Sequence, residues 1–261
     1  MKKTLLATVA AALLVVATAC GSGSGDSGGE TIRVVTLSDS PPNAFQKDGQ
    51  YTGFDNELLK DIATKENLKL EFVATDFSAL LGRVAGGQSD IASCAISQTA
   101  ERKKTVDFSA AYNYQSLAIQ VKESSPVVDE KSLAGKRVGV VQGTASETWV
   151  TATVPTAQLV RFPNDAASLG ALKSDALDAT VFDQDTAEAY IKSNPDAKLK
   201  VAKAFTTDTP HGFAFKKGNT ELITKVNDGL KKAIADGTWE KLHNQFIPNA
   251  PMAAEFKAGA K

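Results

Sequence analysis

The sequence lacks a surplus of charge of either sign. Its 261 residues carry 29 Lys and Arg against 30 Asp and Glu, for a formal net charge of −1. Proteins that bind nucleic acid concentrate basic residues, so this near balance argues against nucleic acid as a partner. The length fits one large domain or two modest ones, and the 43% hydrophobic content is ample for a core.

Cysteine and histidine are scarce, with two residues of each. His211 and His243 are isolated and lack the spacing of metal ligands, so we predict no metal site and no cofactor. If Cys20 is modified, Cys94 has no partner for a disulfide, and a protein of this length does not require one. We therefore expect Cys94 to be a small buried residue.

The sequence also lacks a hydrophobic run that could span a membrane. Leu5–Val16 is apolar but shorter than the about 20 residues that a spanning helix needs. With a basic start and small residues before Cys20, residues 1–19 are predicted to be a secretory signal peptide. The segment resembles a bacterial lipoprotein signal, in which Cys20 becomes the lipid-modified first residue. The alternative is a plain secretory signal cut near Ala19 or within the following Gly/Ser run.

Residues 20–30 follow as the predicted lipidated cysteine and a flexible tether, because Gly and Ser dominate the tract. A lipid, a tether and a folded body together predict a protein held at a membrane surface and working outside the cytoplasm.

Strand and helix patterns alternate twice in the remaining chain. The first unit begins with the β-branched run Thr31–Leu37, and the second begins with Arg137–Val141. Such alternation predicts parallel sheets with helices on both faces, and ligands bind beyond the carboxyl ends of parallel strands. Asp55, Asn164 and Asn219 are predicted helix N-caps, and Thr144 with Glu147 three residues later forms a predicted capping box.

Residues 93–104 place a hydroxyl at Ser97 and a guanidinium at Arg102 after one of these strands. A guanidinium can hold a carboxylate through two parallel hydrogen bonds, so the segment suits a small anionic group. By itself the segment favours the simpler interpretation of a turn followed by a solvated Arg-Lys-Lys helix start, because charged runs are usually solvated faces. No Ser/His/Asp order or carboxylate pair in the chain predicts catalysis.

Several short motifs resemble, in order and spacing, the family-3 solute-binding proteins, which are the amino-acid-binding proteins of bacterial ABC importers. They extend from about Thr31 to Phe246 and comprise Gly53-Phe54-Asp55, Asp76-Phe77-Ser78, Gly87-Gln88-Ser89-Asp90-Ile91, Thr99–Lys104 with Asp107-Phe108-Ser109, Leu133–Val140, Gly143-Thr144 and Gly237-Thr238-Trp239. Each motif is weak alone, whereas the ordered set is specific.

The resemblance implies an α/β, two-lobed periplasmic-binding-protein type II fold, also called a Venus flytrap, with two hinge strands. Lobe 1 would be discontinuous, comprising residues 31–115 and 211–261, and lobe 2 would comprise residues 116–210. The hinge crossings would lie near Tyr112–Leu117 and Thr207–Phe213. Closure of the lobes over a ligand is a known hinge motion of such proteins.

The resemblance also assigns roles to residues. Arg102 would bind the ligand α-carboxylate, with Ser97 as a helping donor and the helix start at Thr144 adding backbone N–H groups. Asp183 would bind the α-ammonium, although it could instead cap the following helix. The ten predicted ligand-binding residues are Arg102, Asp183, Ser97, Thr144, Phe77, Ala95, Asn43, Gln142, Ala145 and Phe182.

The positions expected to set ligand specificity are Asn43, Val141, Gln142, Ala145 and Phe182. No extra cation for an acidic side chain is evident, and Asp39 is the only carboxylate near the first loop. The prediction is an L-amino acid, with polar uncharged favoured and basic next, delivered by a monomeric lipoprotein to the permease subunits of an ABC importer. The alternatives are an enzyme similar to cyclohexadienyl dehydratases, with Glu101 or Asp183 as its acid, and a ligand-presenting component of a sensor.

Overall fold

The computed structural model describes residues 30–259. The predicted signal peptide, Cys20 and most of the predicted tether lie outside the described residues. None of the helices within residues 30–259 combines the length and the apolar composition needed to cross a bilayer.

Thirteen strands run through the described chain: β1 Glu30–Thr36, β2 Asp39–Ser40, β3 Ala44–Lys47, β4 Gln50–Thr52, β5 Leu68–Ala74, β6 Ile91–Ser93, β7 Val106–Phe108, β8 Asn113–Lys122, β9 Arg137–Val141, β10 Gln158–Phe162, β11 Ala179–Asp183, β12 Leu199–His211 and β13 Ala214–Lys216. They form two five-stranded sheets and one three-stranded sheet.

Seven α-helices accompany the strands of the described chain: α1 Phe54–Lys65, α2 Phe77–Ala85, α3 Ala145–Thr153, α4 Asp165–Lys173, α5 Gln184–Ser193, α6 Thr220–Ala235 and α7 Thr238–Phe246. Short 3-10 helices cover Arg102–Lys104, Lys131–Leu133, Pro195–Ala197 and Ala254–Phe256.

The first five-stranded sheet has the order β5-β1-β6-β13-β7. Strand β1 pairs in parallel with β5 and β6, whereas β13 is antiparallel to both of its neighbours. Since β13 comes after all strands of the second sheet, the chain leaves the first sheet and later returns to it.

The second five-stranded sheet has the order β10-β9-β11-β8-β12. Its first three strands are parallel, and β8 and β12 form an antiparallel pair at one side. The carboxyl ends of β9, β10 and β11 therefore meet at one edge, where side chains can converge on a ligand.

The hydrophobic core of the first lobe is built from both ends of the described chain. Helix α1 packs on α6 and α7, and Phe54 contacts Trp239 edge to face with ring centroids 5.7 Å apart. Trp239 is fully buried, and its indole N–H donates to the Tyr112 carbonyl at 2.8 Å. This buried contact fixes the C-terminal helices against the first sheet.

Three of the predicted helix starts agree with the structure. Asn164, Asn219 and Thr144 accept hydrogen bonds from the first turns of α4, α6 and α3. The prediction for Asp55 was wrong, because Gly53 is the N-cap of α1 and Asp55 is buried within its first turn. Gly53 adopts a φ of 109°, which an L side chain rarely adopts.

Gly229 of α6 lies where this helix packs tightly against α1. A methyl group at this position would stand 2.7 Å from Ile62 Cγ2 and 3.2 Å from the Ile62 carbonyl oxygen. Glycine in an exposed helix interior is less favourable than alanine by about 1 kcal/mol, so helix propensity alone favours alanine. Crowding against the α1 backbone outweighs that preference.

We predict that Gly229→Ala lowers the free energy of unfolding by about 1–3 kcal/mol, the usual range for overpacking. Gly170→Ala is the matched control, because Gly170 is also inside a helix and has no heavy atom within 4 Å of the added methyl. That variant should be more stable than the wild type by about 0.5–1 kcal/mol. Urea denaturation of both variants checks the pair, and equal stabilisation by both would contradict the packing argument.

Candidate ligand-binding site

A pocket lies between the two large sheets, beyond the carboxyl ends of their parallel strands. The space open to the centre of a water-sized molecule is about 40 Å³. Nine of the ten residues predicted from the sequence line this one pocket: Asn43, Phe77, Ala95, Ser97, Arg102, Thr144, Ala145, Phe182 and Asp183. Residues from widely separated parts of the chain therefore converge as the strand-end rule predicts.

Arg102 follows β6 and opens a short 3-10 helix, which turns its guanidinium into the cleft. Nη1 donates to the Ser97 carbonyl at 2.9 Å in lobe 1, and Nη2 donates to the Gly143 carbonyl at 2.9 Å in lobe 2. The guanidinium carbon lies 5.3 Å from the centroid of the Phe77 ring, within the range of a cation–π contact. Arg102 is thus held from three sides.

Burial is the main influence on the pKa of Arg102. It lowers the pKa of the guanidinium to about 10, and the nearby Asp183 opposes that shift. The group still carries its charge at neutral pH. A cation that has lost much of its hydration interacts strongly with an anion placed beside it.

Ser97 and Ala95 shape the lobe 1 wall next to Arg102. The Gln115 side-chain amide donates to Ser97 Oγ at 2.9 Å, which orients the hydroxyl. Ala95 adopts a positive φ of 41°, an uncommon conformation for a residue with a side chain. Gln115 also lines the pocket and was missed, because a glutamine inside a strand pattern carries no motif.

Thr144 begins helix α3 and its hydroxyl is already engaged. Thr144 Oγ1 donates to the Val141 carbonyl at 2.7 Å and accepts from the Glu147 N–H at 3.3 Å. The Glu147 carboxylate accepts from the Gly143 N–H at 2.6 Å, a variant of the predicted capping box. The pocket-lining Ala145 and Ser146 supply further N–H groups in the first turn, where helices attract anions.

Asp183 ends β11 and stands at the N-cap position of α5, yet its side chain makes no cap hydrogen bond. The capping alternative therefore does not account for its carboxylate. Burial raises the pKa of Asp183 well above the usual range for aspartate, and repulsion by Asp185, Asp165 and Asp55 adds to the shift. A ligand ammonium would relieve both effects.

Phe77 and Phe182 form an apolar wall across the cleft. Phe182 belongs to a buried cluster with Val141 and Leu169 of lobe 2, and Phe77 of lobe 1 packs against that cluster. The two lobes are therefore in direct contact at this point. Aromatic surface of this kind excludes water from neighbouring charges.

Asn43 and Gln142, two of the predicted specificity positions, have different environments. Asn43 is buried, lines the pocket and reaches Asp185, where its hydrogen bond limits the rise in the pKa of that carboxyl. Gln142 does not line the pocket, since its side chain is exposed. Alternation along β9 turns Val141 inward, so the next residue turns outward.

Hydrogen bonds connect the lobes across the cleft. They include the Arg102–Gly143 contact and the bond that Ser40 Oγ donates to Asp165 Oδ2 at 2.6 Å. Gly143 also approaches Ser78 so closely that a Cβ at Gly143 would stand 3.4 Å from the Ser78 Cα. The lobes of the described structure are therefore closed on each other.

Asp165 and Ser40 line the pocket and were missed by the sequence analysis. Asp165 was interpreted only as the first residue of α4, after its Asn164 cap. Its position directly beyond the end of β10 was the available signal, because that edge also carries Asp183. Asp39, which the sequence offered as the nearby carboxylate, does not line this pocket.

Asp55 is a further buried carboxylate near the pocket. It accepts a hydrogen bond from the Tyr112 hydroxyl, while its Oδ2 has no partner within residues 30–259. Burial raises its pKa to about 7 despite that hydrogen bond. Since the folded-state pKa lies above the unfolded value, folding favours the protonated form. The stability that Asp55 contributes is present below pH of about 4 and lost as pH rises towards 7.

We predict that Asp55→Asn removes this dependence. The difference in free energy of unfolding, wild type minus variant, should fall as pH rises from 4 to 7, because other titrating groups cancel between the two proteins. Urea denaturation at several pH values measures the difference. The exposed Asp196→Asn serves as a control, and a pH-independent difference for Asp55→Asn would contradict the prediction.

The fold and the cleft define a class: two α/β lobes closing on a small polar pocket, as in periplasmic-binding-protein type II structures. A family model for bacterial extracellular solute-binding proteins, family 3, matches residues 32–249. The chain belongs to this family of amino-acid-binding proteins of ABC transporters, which confirms the predicted family and fold class.

Individual relatives support the assignment. The arginine-binding extracellular protein ArtP of Bacillus subtilis is 33% identical over 95% of this chain and 98% of its own. The structure of an ancestral arginine-binding protein bound to arginine is 35% identical, has a TM-score of 0.81 and covers 84% of this chain and 99% of that chain.

A related structure bears on the enzyme alternative. An ancestral amino acid-binding protein, described as a precursor of cyclohexadienyl dehydratase, is 34% identical over 83% of this chain and 94% of that chain, with a TM-score of 0.75. Of the two candidate acids, Glu101 is exposed, pairs with Lys104 and does not line the pocket. Glu101 is therefore not placed to act as an acid in the cleft.

Proposed function

We propose that this protein captures an L-amino acid between its lobes and delivers it to the permease of an ABC importer. One observation carries the proposal: Arg102 of lobe 1 and Asp183 of lobe 2 line the same closed pocket. The guanidinium binds the α-carboxylate and the carboxylate binds the α-ammonium. Opposite charges from opposite lobes make binding and closure a single event.

The neighbouring groups complete this clamp. Ser97 and the start of α3 add donors to the α-carboxylate, and the Ala95 carbonyl adds an acceptor for the ammonium. Phe77, Phe182, Ala145 and Asn43 surround the rest of the ligand. Gln142, being exposed, acts at the pocket only if its side chain moves inward.

The lobes we propose are residues 31–115 with 211–261, and residues 116–210. Support comes from β8 and β12, the antiparallel pair at one side of the second sheet. Their register shifts between Thr206 and Pro210, where a hinge strand would bend. Hinge residues absorb the change in backbone angles on closure.

We predict that Arg102→Ala abolishes useful binding. Removing one partner of a buried, hydrogen-bonded charge pair weakens binding by about 2–5 kcal/mol. Lys103→Ala is the matched control, because Lys103 is the next residue along and is exposed. Isothermal titration calorimetry with the amino acid that binds the wild type measures both. Near-wild-type affinity in Arg102→Ala would refute the site.

The membrane attachment is proposed from the sequence alone. Cys20 carries the lipid, residues 20–30 form the tether, and the folded body works at the outer side of the membrane as a monomer. One saturated acyl chain gives only marginal membrane binding, so the multiple chains of a bacterial lipoprotein account for stable retention.

We predict that Cys20→Ala shifts the protein from the membrane fraction to the soluble extracytoplasmic fraction. Cell fractionation with metabolic labelling by a fatty acid measures both retention and modification. Cys94→Ala is the control, since this buried thiol lies in the folded body. Membrane retention of Cys20→Ala without label would contradict the lipid anchor.

The ligand's side chain is the remaining variable. The sequence ranked polar uncharged amino acids before basic ones, and two of the three related proteins above are described as arginine-binding. A thermal-shift screen against the twenty amino acids, ornithine and citrulline identifies the ligand, because binding to the native state raises the melting temperature.

A further inference from the structure

The charged side chains lining the pocket do not balance. They are one cation, Arg102, and two anions, Asp183 and Asp165. On the proposed function, a zwitterionic amino acid places its carboxylate on Arg102 and its ammonium on Asp183. Asp165 is then left without an opposite charge.

Asp165 has no opposite charge within the protein either. Among residues 30–259 it forms no ion pair, and its hydrogen-bond partner is Ser40 Oγ at 2.6 Å. A hydroxyl supplies a hydrogen bond but no charge. Asp165 also does not cap α4, since Asn164 provides the cap to the Ala167 N–H. The Asp165 carboxylate therefore does not serve as the cap of its own helix.

The surroundings of Asp165 increase the electrostatic imbalance. Burial raises its pKa to about 6, and Asp39 and Asp185 add repulsion. Asp39 and Asp185 likewise form no ion pair within the described residues. A carboxylate in this position is unfavourable in the folded protein unless a cation enters the cleft.

We propose that Asp165, oriented by Ser40, is the subsite for a cationic ligand side chain, and that the substrate is a basic amino acid. This inference rests on the proposed function, since it assumes that Arg102 and Asp183 hold the α-groups. A ligand with two positive groups and one negative group complements two carboxylates and one guanidinium. The inference reverses the order predicted from the sequence.

Neutral and acidic side chains fit less well for the same reason. A side-chain amide can donate to Asp165 but leaves its charge uncompensated in a site with little water. An acidic side chain would add a further negative charge. Discrimination against both classes follows from the unpaired carboxylate rather than from the shape of the pocket.

The test uses calorimetric titration of the purified protein with L-arginine, L-lysine, L-ornithine, L-citrulline and L-glutamine. Citrulline is a near-isosteric neutral analogue of arginine. We expect at least one basic amino acid to bind about 30-fold or more tightly than citrulline and glutamine. In Asp165→Asn this preference should fall below about 5-fold, mainly through weaker binding of the basic ligand.

Three variants separate the charge from folding effects. Asp165→Glu should keep part of the preference because it keeps the charge, whereas Ser40→Ala should produce a smaller loss than Asp165→Asn. Asp196→Asn, an exposed carboxylate of the same lobe, should bind as the wild type does. Thermal unfolding of each free protein confirms that the variants are folded.

Two results would overturn the subsite. One is citrulline or glutamine binding the wild type as tightly as every basic amino acid, and the other is unchanged basic-ligand affinity in Asp165→Asn. Either can occur while Arg102→Ala still abolishes binding, so the amino-acid receptor would stand without this subsite. Failure of every amino acid to bind would instead remove both proposals.

Discussion

The guanidinium of Arg102 is the interaction on which the cleft depends. It donates to the carbonyls of Ser97 and Gly143, one in each lobe, and lies over the Phe77 ring. Buried cations are unfavourable unless several groups compensate them. Here backbone dipoles and an aromatic face hold the charge in a fixed direction. The planar, five-donor shape of arginine makes such multiple engagement possible, and lysine could not reproduce it.

The lobe 2 side of the cleft carries an excess of negative charge. Burial raises the pKa of Asp183, Asp165 and Asp185, and repulsion by Asp185 adds to the shifts of the other two. With the proposed lobe bounds, repulsion of Asp165 by Asp39 and of Asp183 by Asp55 acts between the lobes and works against closure when they are empty, whereas a ligand that brings positive charge favours closure. Ligand binding and lobe closure are then coupled through the difference in interaction energy between the open and closed states.

The sequence predicted the architecture and most of the pocket because both depend on short-range signals. Alternating strand and helix patterns and the ordered motifs predicted the family and fold class, and the resemblance to that family pointed to nine residues that line the pocket. It failed where contacts join distant segments. The Ser40–Asp165 hydrogen bond links residues 125 positions apart, and no local sequence pattern predicts it. Gln142 was misplaced because one step along a strand reverses a side chain's direction.

Asp165 illustrates why a residue's local role can hide its functional one. An aspartate in the first turn of a helix is favoured by the helix dipole, so its presence there needs no further explanation. The structure turns the same carboxylate toward Ser40 of the other lobe, where burial raises its pKa to about 6. The helix start thus reduces the penalty of a charge that the cleft leaves unpaired. Strand ends and helix starts coincide in α/β folds, so helix-compatible carboxylates there can be presented to a ligand with little loss of stability.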